Sequence, residues 1–372
     1  MGSRGARVAR LAARTVLSAV AAGLLLNGRS AAAQDLDRFT ADSVMSIDAY
    51  GGQNVSNRPQ IVIDASVGVR LGDNWQVVFR PWFRQARPST PTAPVPDWDA
   101  QIYQAGLHYE RRGAVATRVD LGEIVSPIGL GMMDWRANLN PTIAPHLTYV
   151  VPMPVFDPTI PRQVPVAQSY PLGGVVTVST LRWDARAAVV NAAPTRGWAI
   201  GANNNPHATP VVEAGGGITP VIGLRLGASV AHGQYVTADE VTRGSEGREM
   251  TLVSVEGEYA FAYTKLSGEF VRTGFETRAD TAVAYAYFLQ GMQTLTPRLF
   301  AASRYEVGSA PPLVGGLVPG VRTQLKTFEA TAGFRLIPEL TVRGSFYTRH
   351  GYTASAWDQQ AAVSLVWARR WR

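Results

Sequence analysis

QIVIDASVGVRL, Gln60 to Leu71, alternates along its whole length. Ile61, Ile63, Ala65, Val67, Val69 and Leu71 fall on one parity, and Val62, Asp64, Ser66, Gly68 and Arg70 on the other. One face is apolar and the opposite face carries both charges. A period of two belongs to a β-strand whose faces meet different surroundings. The pattern returns at Trp183, Ala185, Ala187 and Val189 against Arg182, Asp184 and Arg186. It returns again at Phe328, Ala330, Ala332, Phe334 and Leu336 against Glu329, Thr331 and Arg335. A soluble sandwich alternates in the same way, so the connections between strands must decide.

Sixteen strands are expected, at 43–51, 60–71, 74–84, 100–111, 114–124, 172–180, 182–191, 210–219, 221–234, 249–260, 263–275, 280–293, 297–307, 325–336, 339–348 and 358–369. Their links alternate between short turns, such as LGDN (71–74), RRGA (111–114) and TPVI (219–222), and mostly long segments, of which 125–171 is the longest. Short turns on one rim and long loops on the other characterise transmembrane barrels, with the turns periplasmic and the loops extracellular. The expected fold class is therefore all-β, a transmembrane antiparallel β-barrel of about sixteen strands. Pro220, Pro297 and Pro338 are placed at short turns, where a missing N–H does no harm. Pro81 is a misfit within a strand, so either that strand ends early or it bulges. Aromatic residues near strand ends (Trp75, Trp82, Phe83, Tyr259, Phe261, Tyr263, Trp357 and Trp367) read as interfacial girdles.

The first residues read differently. Arg4, Arg7, Arg10 and Arg14 precede the apolar run VLSAVAAGLLL (16–26), and Ala31, Ala32 and Ala33 precede Gln34. This is the pattern of a secretory signal peptide, residues 1–33, for export through the Sec pathway. The barrel domain is then 34–372. Residues 1–33 hold five of the 35 basic residues and no acid, which leaves 30 basic against 28 acidic ones, a net of +2 instead of +7. The support for nucleic-acid binding leaves with them. Cysteine is absent and only Lys265 and Lys326 are lysines, so almost all positive charge is guanidinium, suited to bidentate contacts with oxyanions. The five histidines (His108, His146, His207, His232 and His350) have no paired ligand spacing, and no G-x-S-x-G occurs. No metal, cofactor or enzymatic activity is expected.

Sixteen strands enclose an aqueous lumen, where eight would fill theirs with side chains. LGEIVSPIGLGMMDWRANLNP, Leu121 to Pro141, resembles the strand-to-loop region of the phosphate-selective porin O and P superfamily, with a glycine after the strand, a Pro-x-Gly-x turn and then an arginine. The Thr-Pro turns at 219–220 and 296–297 are also similar to that group. The resemblance implies a passive, trimeric channel in the bacterial outer membrane, in contact with outer-membrane lipids and lipopolysaccharide, that passes small hydrophilic solutes. Two lysines cannot build a lysine ladder, so phosphate specificity is not carried over.

Parity places Arg70, Arg80, Arg118, Asp120, Arg182, Arg186, Arg225, Arg335 and Arg343 on the lumen wall, a slightly positive set that favours at most a mild anion preference. Wall charges of both signs could equally pair with one another and only stiffen the wall. The 125–171 segment follows the fifth strand and is rich in residues that want burial, including Met153, Phe156 and Ile160. It either folds into the barrel or caps its mouth. In the first case Asp134, Arg136, His146, Asp157 and Arg162 are candidate constriction charges. A barrel with a dedicated substrate, or one with a non-channel enzymatic or adhesive role, remains the alternative. Intact-mass measurement of the protein recovered from outer membranes checks the first boundary: the expected chain begins at Gln34.

Overall fold

The alternating segments fold into sixteen strands: β1 (Phe39–Gly52), β2 (Gln60–Arg70), β3 (Trp75–Gln85), β4 (Trp98–Arg111), β5 (Ala116–Glu123), β6 (Leu172–Ser179), β7 (Trp183–Val190), β8 (Val211–Val221), β9 (Leu224–Val236), β10 (Arg248–Phe261), β11 (Thr264–Glu276), β12 (Thr281–Thr294), β13 (Leu299–Ser309), β14 (Gln324–Ile337), β15 (Leu340–His350) and β16 (Asp358–Trp371). The computed structural model describes residues 38–52, 58–87, 94–130, 136–165, 170–196, 210–241, 246–278, 280–312 and 321–371. The signal segment expected at 1–33 lies outside the described residues, as does Asp134. Each strand pairs antiparallel with its sequence neighbours, and β1 pairs with β16 from Ala41↔Trp371 to Gly52↔Gln360. The sheet is a closed barrel. Closure satisfies the backbone N–H and C=O groups that an open edge would leave bare.

Register settles which face is which. On β12, Leu289 is 63% exposed, while Phe288 and Gln290 beside it are 2% and 7% exposed. Across the pairs, the outward set is Val255, Phe270, Leu289, Phe328, Phe346 and Val363, an apolar band. The inward set holds Asp64, Glu256, Glu269, Arg304, Glu329 and Arg343, all buried. A one-residue slip anywhere would turn those charges outward, so the pattern fixes the register.

Turns form where the chain can bend. The β8–β9 turn is Ile222–Gly223, and Gly223 has φ +90°, with Ala260 O only 2.2 Å from where a Cβ would stand. The expected turn at Pro220 is therefore displaced: Pro220 lies inside β8, at a register break between Ile218 and Val221. Pro297 and Pro338 sit in the β12–β13 and β14–β15 turns. Pro81 marks a bulge, since the β3–β4 register shifts between Arg80 and Pro81, where Tyr103 is skipped between Ile102 and Gln104. The skipped ring turns inward. It stacks at 4.9 Å on Trp82, which is 3% exposed, so Trp82 belongs to the interior and not to a girdle.

Connections at the two rims differ as the sequence leads one to expect, from two residues between β8 and β9 to 48 between β5 and β6. No described helix is long and apolar enough to cross a membrane, and strands are the crossing elements of a barrel. Replacing outward Leu289 at mid-strand with Arg is expected to lower stability by about 2–4 kcal/mol, measured by urea unfolding in phospholipid vesicles.

Candidate channel constriction

The described parts of the segment, 124–130, 136–165 and 170–171, turn into the barrel. Their prolines deny the segment a ladder role, and their apolar side chains give it a surface to bury: Ile128, Met153, Phe156 and Ile160 pack into one core with Val190, Leu252, Phe275 and Phe288 of the wall. Near its middle the segment makes a single helical turn, α1 (Leu147–Val150). An irregular backbone cannot be buried unless its polar groups find partners.

The wall charges supply them, sorted by sign. Glu269 accepts hydrogen bonds from Leu130 N (2.8 Å) and Tyr149 Oη (2.5 Å). Glu329 accepts from Ile143 N at 2.8 Å, and Glu306 from Leu147 N at 3.2 Å. Arg304 donates to the carbonyls of Ala144 (2.6 Å) and Pro145 (3.0 Å). Arg343 Nη1 donates to the carbonyls of Ala137, Asn140 and Thr142 at 2.7–3.0 Å, and its Nη2 to Ser364 Oγ. Hydrogen bonds to charged groups contribute about 1.5–3 kcal/mol each when they replace bulk solvation well. The segment is stitched to the wall along β11, β13, β14 and β15.

Space remains on the opposite side of the lumen. A cavity of about 260 Å³ lies between residues 136–147 and the strands β1, β2, β3, β15 and β16. Its charged lining is Arg84, Arg87, Arg136, Arg343 and Arg349 against Asp48 and Asp64. Neither carboxylate faces the space alone. Asp64 binds Arg80 bidentately, at 2.9 and 2.6 Å, and Arg136 at 3.1 Å, while Asp48 accepts from Ser46 Oγ at 3.1 Å. Arg136 also meets Asp42 at 2.5 Å. The result is a cavity whose lining holds more arginines than aspartates.

The expected constriction residues separate accordingly. Arg136 lies at the cavity. His146 is 3% exposed and packs between loop and wall, 4.4 Å from the Phe288 ring and 3.4 Å from Glu306. Asp157 binds Thr159 N and Oγ1 and approaches Arg278 N at the β11–β12 connection. Burial pushes the Asp157 carboxyl up, but the Thr159 hydroxyl and N–H and the Arg278 N–H together hold it below the usual range. Arg162 is exposed on the segment and does not line the cavity.

Of the expected wall charges, only Arg343 lines the cavity. Arg80 is bound to Asp64 behind it. Arg186 and Arg225 share Glu256, at 3.1 and 2.7 Å, and Arg225 also binds Asp184. Arg118 and His108 share Asp120. Arg335 donates to Pro297 O, Arg70 is exposed at the short-turn end of β2, and Arg182 lies in a turn instead of on a strand. For Arg80, Arg118, Arg186 and Arg225 the pairing reading describes the geometry. Of the lining residues that sequence reasoning passed over, Arg84 shares the parity of Arg80 and Arg349 that of Arg343, so their signal was present in the alternation; Asp48 lies on a strand whose faces the sequence left unassigned, and Arg87 lies beyond the end of β3.

No family model matches the chain, and no curated protein matches it. Its fold is similar to that of bacterial outer-membrane porins of known structure. OprB of Pseudomonas putida is 12% identical, with 91% of this chain and 96% of that one covered and a TM-score of 0.55. The anion-selective porin from Comamonas acidovorans is 11% identical, with 90% and 99% covered and a TM-score of 0.53. The outer-membrane channel DcaP of Acinetobacter baumannii is 9% identical, with 89% and 97% covered and a TM-score of 0.55.

Arg343→Ala removes the donor that three loop carbonyls share. Trypsin is expected to cleave the refolded variant within 124–171 several-fold faster than the parent, while the barrel keeps its heat-modifiable mobility on electrophoresis.

Proposed function

We propose that the chain is an outer-membrane channel for passive diffusion of small hydrophilic solutes with a preference for anions. The observation that carries this reading is the lining of the cavity: Arg84, Arg87 and Arg349 face it beside Arg136, bound to Asp42 and Asp64, and Arg343, bound to loop carbonyls, against the hydrogen-bonded Asp48 and Asp64. Charged rings at a narrow point select by sign, since a permeating ion sheds part of its hydration there. The fold likeness to porins supports the channel reading, and the outward apolar band supports a membrane setting. On the same reading the protein is exported by the Sec pathway, sheds residues 1–33, assembles as a homotrimer and contacts outer-membrane lipids and lipopolysaccharide. No catalytic role is assigned.

The resemblance of 121–141 to the phosphate-selective porin O and P superfamily supports a place beside that group, without its lysines. Lys265 pairs with Glu258 at 2.7 Å near the short-turn rim, and Lys326 lies on the outward parity of β14. Neither approaches the passage.

Planar-bilayer recording of the refolded mature protein in a KCl gradient tests the reading. Stepwise conductance with a reversal potential of the anion-selective sign is expected. Absence of steps sinks the channel, and cation selectivity sinks the preference. Arg136→Ala is expected to lower the anion-to-cation permeability ratio about tenfold, the Boltzmann factor of about three for unit charges about 6 Å apart in a water-filled opening acting once on the anion and once, with opposite sign, on the cation.

A further inference from the structure

The passage has two kinds of wall. Toward the long-loop rim, Arg87 lies over the Tyr50 ring at 4.2 Å and Arg84 over the Trp82 ring at 5.1 Å. A guanidinium over a ring is held in place by cation–π attraction. Arg84 meets Asp99 only at 3.5 Å. Both arginines line the cavity, and a carboxylate is the acceptor whose geometry matches a guanidinium fork.

Beside the polar Ser46, Gln60, Asn140 and Gln360, the lining includes an apolar surface: Val44 and Val62 from the wall, and Ile143, Ala144, Pro145 and Leu147 from the inserted segment. That surface offers nothing to a small inorganic anion, whose hydration it can only remove. It gains from covering a hydrocarbon body. A cavity of about 260 Å³ has room for a ring or a short chain.

Resting on the channel reading above, we infer that the solutes this passage favours are organic carboxylates with an apolar body, aromatic acids among them, in preference to inorganic phosphate. The carboxylate sits on the Arg84–Arg87 pair and the hydrocarbon body lies against Val44, Val62 and Leu147. The arginines account for the sign of the solute, and the apolar wall for its organic character.

Benzoate, acetate and inorganic phosphate are the probes, each added to refolded mature protein carrying chloride current in a planar bilayer. Benzoate is expected to reduce the current at about one-tenth the concentration of acetate, the gain from burying roughly 60 Å² of ring surface, and below that of phosphate. Val44→Thr with Val62→Thr, close to isosteric, is expected to erase most of that tenfold gap while changing block by phosphate far less. Arg84→Gln with Arg87→Gln weakens block by all three anions. Equal block by benzoate and phosphate overturns the inference, and so does a benzoate preference that survives both valine substitutions. Titration calorimetry of the same anions in detergent micelles reads binding without any current. Loss of all current therefore removes the channel reading, while the benzoate-to-phosphate binding ratio still decides the inference.

Discussion

The interior depends on the match between wall charges and loop backbone. Glu269, Glu306 and Glu329 take N–H groups, and Arg304 and Arg343 take carbonyls, all from one inserted segment. In a barrel of this width the loop has no neighbouring strand to pair with, and its backbone would otherwise be shielded and unsatisfied. Charged side chains spaced along the wall act as a substitute for a sheet. They also set how far the segment reaches, because each anchor fixes one point of its path. What is left open is the remainder of the lumen.

This gives the wall charges two separate duties. Arg186, Arg225, Asp184 and Glu256 neutralise one another across strands, and Arg118 does so with Asp120. Arg304 and Arg343 serve the loop. The charges that face the passage are mostly a third set at the ends of β3 and β15, balanced in part by Asp64 and Asp48. A simple count of inward arginines therefore overstates the fixed charge a solute meets, and the excess resides in a few residues on one side.

Much of the barrel was legible in the sequence. Alternation is local and strand length is short, so each of the sixteen strands appeared within a few residues of its observed span, and Pro81 announced its own bulge. Pro220 misled because the turn is fixed by Gly223 with its positive φ, three residues beyond that proline and four beyond the last expected strand residue. The constriction was only partly legible. Arg136, His146 and Asp157 share one segment and one set of residue types, and only contacts with distant strands separate them, Arg136 turning to Asp42 and Asp64 while His146 turns to Phe288 and Glu306. Alternation names the inward residues; it does not say which of them a folded-in loop will cover.

The seam that closes the sheet lies beside the passage. β1 and β16, the first and last strands to be made, pair with each other over twelve residues, and both border the cavity together with their neighbours β2 and β15. The passage is thus bounded by the most distant parts of the sequence, joined by the contact with the greatest loop-closure cost. A chain with every other strand in place would hold the inserted segment on β11, β13 and β14 and still lack a passage. Barrel and cavity are completed by the same event, so a partly closed barrel has an open side where the cavity would be.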